Sequence, residues 1–123
     1  RVVTVGEGER NYHAFYHLVA GGTADAEALG LGKGAKSFFY LNQSSVDTVA
    51  ALPDARMYQE LATALGTCGV PAAEQAEVWS LLAGVLHVGN VTFTGDDAAA
   101  IAEPDVAALA CRLLQADISG GLT

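Results

Sequence analysis

Apolar residues recur every three or four positions over most of the chain, the period of an amphipathic helix rather than of a strand. From Glu9 to Ala20, Tyr12, Phe15, Tyr16, Leu18 and Val19 keep that spacing, and Gly21-Gly22 stops it. Glu7 and Glu9 stand where they would meet the positive end of that helix dipole. Thr23 offers an N-cap for a short helix through Leu29, closed by Gly30. Leu52-Pro53-Asp54 reads as the next entry, with Asp54 as cap. Met57, Tyr58, Leu61, Ala62 and Leu65 then form a stripe that Gly66 or Gly69 ends. Pro71 opens the strongest helix, from about Ala72 to Val88. Glu74 and Glu77 lie in its first turns, and Val78, Trp79, Leu82, Ala83, Val85 and Leu86 make much of its circumference apolar. Glu103-Pro104-Asp105 starts a last helix, carrying Val106, Leu109, Ala110, Leu113 and Leu114.

The period shortens in two places. Arg1 to Val5 is β-branched and bounded by Gly6 and Gly8, so it reads as a strand, although no nearby segment offers to pair with it. Val91-Thr92-Phe93, a turn at Gly95-Asp96-Asp97 and a return over Ala99 to Ala102 predict a small β-hairpin. Between Lys33 and Asp47 the dense cluster Phe38-Phe39-Tyr40-Leu41 sits among Gly, Ser, Asn and Gln, and predicts an ordered connector that plugs the core. The fold class is therefore mainly α: about five packed helices, a short N-terminal strand and a small hairpin near 91–102.

Composition narrows this. At 123 residues one domain is the natural size, and 23 alanines against 9 aromatic residues suit close-packed helices. Six Lys/Arg against fourteen Asp/Glu give a net charge of −8, which argues against nucleic acid or an anionic membrane as partner. The longest uncharged run, Val78 to Gly95, loses its apolar part at Val88, well short of the ~20 residues needed to span a bilayer. Cys68 and Cys111 lie without a CxxC or Cys/His partner and read as buried small hydrophobes in a reduced, intracellular setting. The chain opens at Arg1 with no signal-like segment, which is the pattern of a soluble piece of something larger.

Candidate chemistry is sparse. His13 and His17 are one helical turn apart and could share a metal ion, but Ala14 stands where a zincin has its general base and His87 is distant in sequence. Ser44, Ser45 and Asp47 lack a nucleophile elbow. Gly30-Leu-Gly-Lys-Gly34 lacks the spacing of a phosphate loop and does not follow a strand. Glu7/Glu9 and Asp96/Asp97 read as solvated termini and turns. These residues predict no catalytic, cofactor-binding or metal-binding position.

Three strings are more specific. Gly8-Glu-Arg-Asn-Tyr-His-Ala-Phe-Tyr16 resembles the GERNYHxFY helix start of the myosin motor head. Tyr40-Leu-Asn-Gln-Ser44 resembles its YLNQS connector. Glu74-Gln75, Leu82-Ala-Gly-Val-Leu-His-Val-Gly-Asn90 and Val91-Thr-Phe93 resemble its EEQ…LLAxxLHLGNIxF block. They occur in the family's order and together touch nearly the whole chain. Ala14 and His17 depart from the family, which usually has a larger aliphatic residue and Gln there. Val70-Pro71 replaces an aromatic and Ser, exchanging a side-chain cap for a proline start.

The resemblance implies that residues 1–123 form a single partial domain within the upper 50-kDa subdomain of the head, with Arg1 to Val5 a strand of its central transducer sheet. It implies a parent that hydrolyses Mg-ATP and moves on actin filaments in the cytoplasm, with the remainder of the head as the segment's partner. The family's phosphate loop (GESGAGKT), switch I (NxNSSRFGK) and switch II (DIxGFE) do not occur in these residues. Whether the segment belongs to an enzyme is thus carried by the parent alone. The expected function is structural: coupling nucleotide-site changes to the actin-binding cleft. The alternative from residue patterns alone is a free-standing acidic helical protein-interaction module. A metal-dependent hydrolase built on His13 and His17 is a weaker third.

Overall fold

The computed structural model describes residues 3–22, 25–51, 53–95 and 100–116. It is mainly α, as the periodicity predicts. Five helices occur in order, α1 (His13–Gly21), α2 (Ala26–Leu29), α3 (Asp54–Thr67), α4 (Ala72–Val88) and α5 (Pro104–Leu114). Two single 3-10 turns, Ala35–Ser37 and Phe39–Leu41, shape the connector between α2 and α3. Strands β1 (Phe93–Thr94) and β2 (Ala100–Ile101) pair antiparallel, Phe93 opposite Ile101 and Thr94 opposite Ala100, as the hairpin reading requires. Thr23, proposed as a cap, and Asp96-Asp97 of the turn lie outside the described residues.

The helices form two packed pairs, α1 with α3 and α4 with α5, joined where α1 meets α4. Small residues set both approaches. A Cβ on Gly21 of α1 would come within 2.4 Å of Tyr58 Cβ on α3, and one on Gly84 of α4 within 2.6 Å of Leu114 Cγ on α5. Between the pairs lies one core. Phe15, Tyr16 and Leu18 of α1, Trp79, Ala83 and Leu86 of α4, and Leu113 of α5 close around Leu29, Leu31, Phe38 and Leu41. Of the predicted plug Phe38-Phe39-Tyr40-Leu41, Phe38 and Leu41 are each 1% exposed, Tyr40 is half-buried and Phe39 is exposed. Excluding a side chain of that size from water stabilises by about 1.5–3 kcal/mol.

Helix ends follow local chemistry. Gly69 adopts φ +89°, and with it Val70 N–H reaches Leu65 O at 2.9 Å while Gly69 N–H reaches Gly66 O, a Schellman stop for α3. Gly30 (φ +67°) closes α2 in the same way. At the end of α5 the left-handed position is filled by Gln115 (φ 55°).

Five sequence expectations need correction. α1 begins at His13 rather than Glu9, because Tyr12 at the cap position has non-helical backbone (φ −53°, ψ 134°) and the chain before it turns between Gly6 and Glu9. No acidic residue therefore occupies its first turn. Of the proposed strand Arg1 to Val5, residues 1 and 2 lie outside the described residues, and Val3 to Val5 belong to no described strand. Asp54 is the first residue of α3, with Pro53 at the cap position, and its carboxylate is committed to Arg10 instead of the helix end. Cys68 is exposed, since α3 ends just before it, while Cys111 is half-buried. α4 is less enclosed than its composition suggests: Val78, Leu81 and Val88 form an exposed stripe on its outer side.

Candidate functional site

The polar groups of interest gather where the connector meets the start of α1 and the end of α4. Gln43 holds the segment before α1. Its Nε2 donates to Val3 O at 2.7 Å and its Oε1 accepts from Val5 N–H at 3.3 Å. Those two groups flank Thr4 and face one edge, so one side-chain amide stands in for a neighbouring strand's peptide. The same Nε2 also donates to Phe39 O. From the other side Asn90, immediately beyond α4, accepts from Phe39 N–H at 2.7 Å and donates to Ser37 O at 2.8 Å. Phe39 N–H and Phe39 O are thus both satisfied by side chains, the N–H by Asn90 far along the chain and the carbonyl by nearby Gln43. Asn11 Nδ2 donates to Tyr40 O at 3.0 Å. A Cβ at Gly89 would lie 2.8 Å from the Tyr40 ring, so only glycine lets that ring approach α4.

A buried ion pair lies alongside. Arg10 Nη1 and Nη2 donate to Asp54 Oδ2 and Oδ1 at 3.0 and 2.9 Å, a bidentate pair whose side chains are 4% and 8% exposed. Nη1 also reaches Asp47 O, and the guanidinium lies 4.4 Å over the Tyr16 ring. Burial raises the Tyr16 phenol above its ordinary pKa of 10.0. His17 Nε2 stands 3.4 Å from Asp54 Oδ1, outside good hydrogen-bond range. Burial holds its imidazole below the usual 6.5, against the pull of Asp54.

The sequence candidates fall into separate places. His13 is exposed, with its ring 6.1 Å from that of His17. His87 is buried elsewhere: Nε2 is 2.8 Å from Leu29 O, and because a carbonyl only accepts, that nitrogen carries the proton. Among the described residues no three His, Cys, Asp or Glu side chains gather as a metal site. Ser44 Oγ accepts from Gly8 and Val46 N–H groups. Glu7, read as merely solvated, accepts from Ser45 N–H and hydroxyl, which lowers its pKa. Lys33 is exposed on the loop after α2. The Gly30–Gly34 loop follows a helix rather than a strand, and its Gly34 N–H is spent on Leu31 O.

Sequence reasoning gave Arg10, Gln43 and Asn90 no role of their own and made Asp54 a helix cap. Three of them lie inside the quoted strings, and that was the available signal. The three strings, far apart along the chain, meet at this buckle.

A family model for the myosin head (motor domain) matches residues 1–120. The chain belongs to that family. Similar curated myosins include the myosin IB heavy chain of Dictyostelium discoideum, 40% identical over 95% of this chain and 11% of that protein. The myosin heavy chain IB of Acanthamoeba castellanii is 43% identical over 76% of this chain and 8% of its own length. Myosin-16 of Arabidopsis thaliana is 41% identical over 80% of this chain and 8% of its own. The chain thus spans about a tenth of the length of the myosins it matches. Within a myosin head the buckle joins three parts of one helical block.

Proposed function

We propose that residues 1–123 are a structural block of the upper 50-kDa subdomain of an actin-based, ATP-driven myosin motor. The block carries nucleotide-dependent movement from the N-terminal segment to the actin-binding cleft. Its parent works in the cytoplasm on the actin cytoskeleton, and its immediate partner is the remainder of the head. The observation that carries this reading is the double engagement of Phe39. Gln43 binds its carbonyl and the Val3–Val5 backbone, while Asn90 binds its N–H, so displacement of the N-terminal segment is passed to the end of α4 through a short chain of hydrogen bonds. Coupling of this kind needs packed elements with a discrete link between them.

The test uses the full-length protein carrying Asn90→Ala. Basal ATP turnover should stay close to that of the natural protein, the proposal giving Asn90 a linking role and no contact with nucleotide. Actin activation should fall about 2- to 30-fold, the range of 0.5–2 kcal/mol of coupling. Unchanged actin activation, with a lowered melting temperature showing that the link was cut, would overturn the proposal.

A further inference from the structure

Among the described residues two buried side-chain nitrogens lack a hydrogen-bond partner, Arg10 Nε and His17 Nε2. Arg10 Nη1 and Nη2 both have acceptors, Asp47 O and the Asp54 carboxylate. His17 differs: the residue is 8% exposed, and its Nε2 faces an Asp54 oxygen that Arg10 already occupies at 2.9 Å.

The charged surroundings of this imidazole come from several elements. α3 supplies Asp54, the segment before α1 supplies Arg10, and α1 itself supplies His13. The Tyr16 phenol lies on the other face of Arg10. From the connector, Asp47 gives Arg10 its carbonyl and holds its carboxylate 4.0 Å from Lys36 Nζ. The buried titratable group of α4, His87, is tied to Leu29 O. One carboxylate thus faces one permanent cation at hydrogen-bonding distance, and among the described residues no second carboxylate is placed for a protonated His17.

We propose that His17 is a pH-sensitive latch between α1 and α3: neutral, it packs buried beside the Arg10–Asp54 pair; protonated, it competes with Arg10 for Asp54 Oδ1 and loosens α3 from α1. Burial is the largest influence on the group and disfavours its cation, with Arg10 and His13 adding to that and Asp54 opposing. A folded-state pKa below the unfolded one means that the unfolded chain binds the proton more readily. The stabilisation is therefore complete above about pH 6.5 and is lost as pH falls through the window below it. His17→Gln keeps a polar side chain without a titratable ring and is the control.

Hydrogen–deuterium exchange of α1 and α3 peptides in the full-length protein, corrected for intrinsic rates, reads the latch directly. Between pH 7.5 and 5.5 the opening equilibrium should rise by up to about tenfold, the proton-binding advantage of a free imidazole one unit below its pKa. In His17→Gln the protection of these peptides should be independent of pH, while His13→Gln should keep the full dependence. An equal loss in His17→Gln, or no loss in the natural protein, overturns the proposal. Should His17→Gln fail to fold, the titration of His17 in the natural protein, followed by slow exchange of its ring C–H, decides: a pKa at or above about 6.5 overturns it and a lower one supports it.

Discussion

Arg10 shows how much one side chain can bind together. It reaches α3 through Asp54, the connector through Asp47 O and α1 through the Tyr16 ring. Arg10→Ala leaves the Asp54 carboxylate buried without a cation, and equilibrium unfolding should show a loss of about 3–5 kcal/mol. Arg10→Lys should recover only part of it, because an ammonium cannot make two parallel bonds to a carboxylate. The double substitution Arg10→Met/Asp54→Leu should cost less than Arg10→Ala alone, since no orphaned charge remains. Gln115 offers the opposite sign. A non-glycine residue in the left-handed region carries a steric cost, so Gln115→Gly should raise stability by about 0.5–1 kcal/mol, read from the denaturant midpoint at unchanged slope. None of this was legible around Asp54 in the sequence. A residue after proline at a helix entry reads as a cap by local spacing, whereas its partner Arg10 is 44 positions away.

Among the elements, α4 is the central one, and its sequence said so. Trp79 and Leu86 belong to the apolar set that periodicity gave α4, and both are buried, with the Trp79 ring 5.0 Å from that of Tyr58 on α3, whereas Val78 of the same set is exposed. Leu86→Ala should cost roughly 2–5 kcal/mol and Trp79→Ala roughly 3–5, from lost burial plus the cavity left behind. Gly84 decides the α4–α5 approach. Alanine would gain up to about 1 kcal/mol of helix propensity, yet its Cβ would fall 2.6 Å from Leu114 Cγ and 3.3 Å from Leu113 Cβ. Overpacking should win, with a net loss of about 1–3 kcal/mol in thermal unfolding. If instead Gly84→Ala stabilised the protein, the close approach of these helices would be wrong. Long periodic helices were legible because each repeats its signal over several turns. The Val3–Val5 segment was not, because its short β-branched run says nothing about which group satisfies its backbone. That group is a side chain from 40 positions later, Gln43.

At the scale of the molecule the question is whether the buckle acts as a unit. Gln43 and Asn90 do not bind each other; they bind opposite ends of Phe39. Removing Asn90 frees Phe39 N–H and relaxes the turn that presents Phe39 O to Gln43. Removing Gln43 releases Phe39 O together with the Val3–Val5 backbone. Each loss therefore undoes part of what the other side chain holds, and a second substitution has less left to remove. A double-mutant cycle of Gln43→Ala and Asn90→Ala, followed by denaturant unfolding, should give a combined loss smaller than the two separate losses together, by about 0.5–3 kcal/mol. Gln115→Gly, which shares no partner with Gln43, should combine with Gln43→Ala additively to within about 0.5 kcal/mol. Additivity in both pairs would mean that the N-terminal segment and α4 are held independently. The connector would then be a filler of the core rather than the link that joins the two helix pairs.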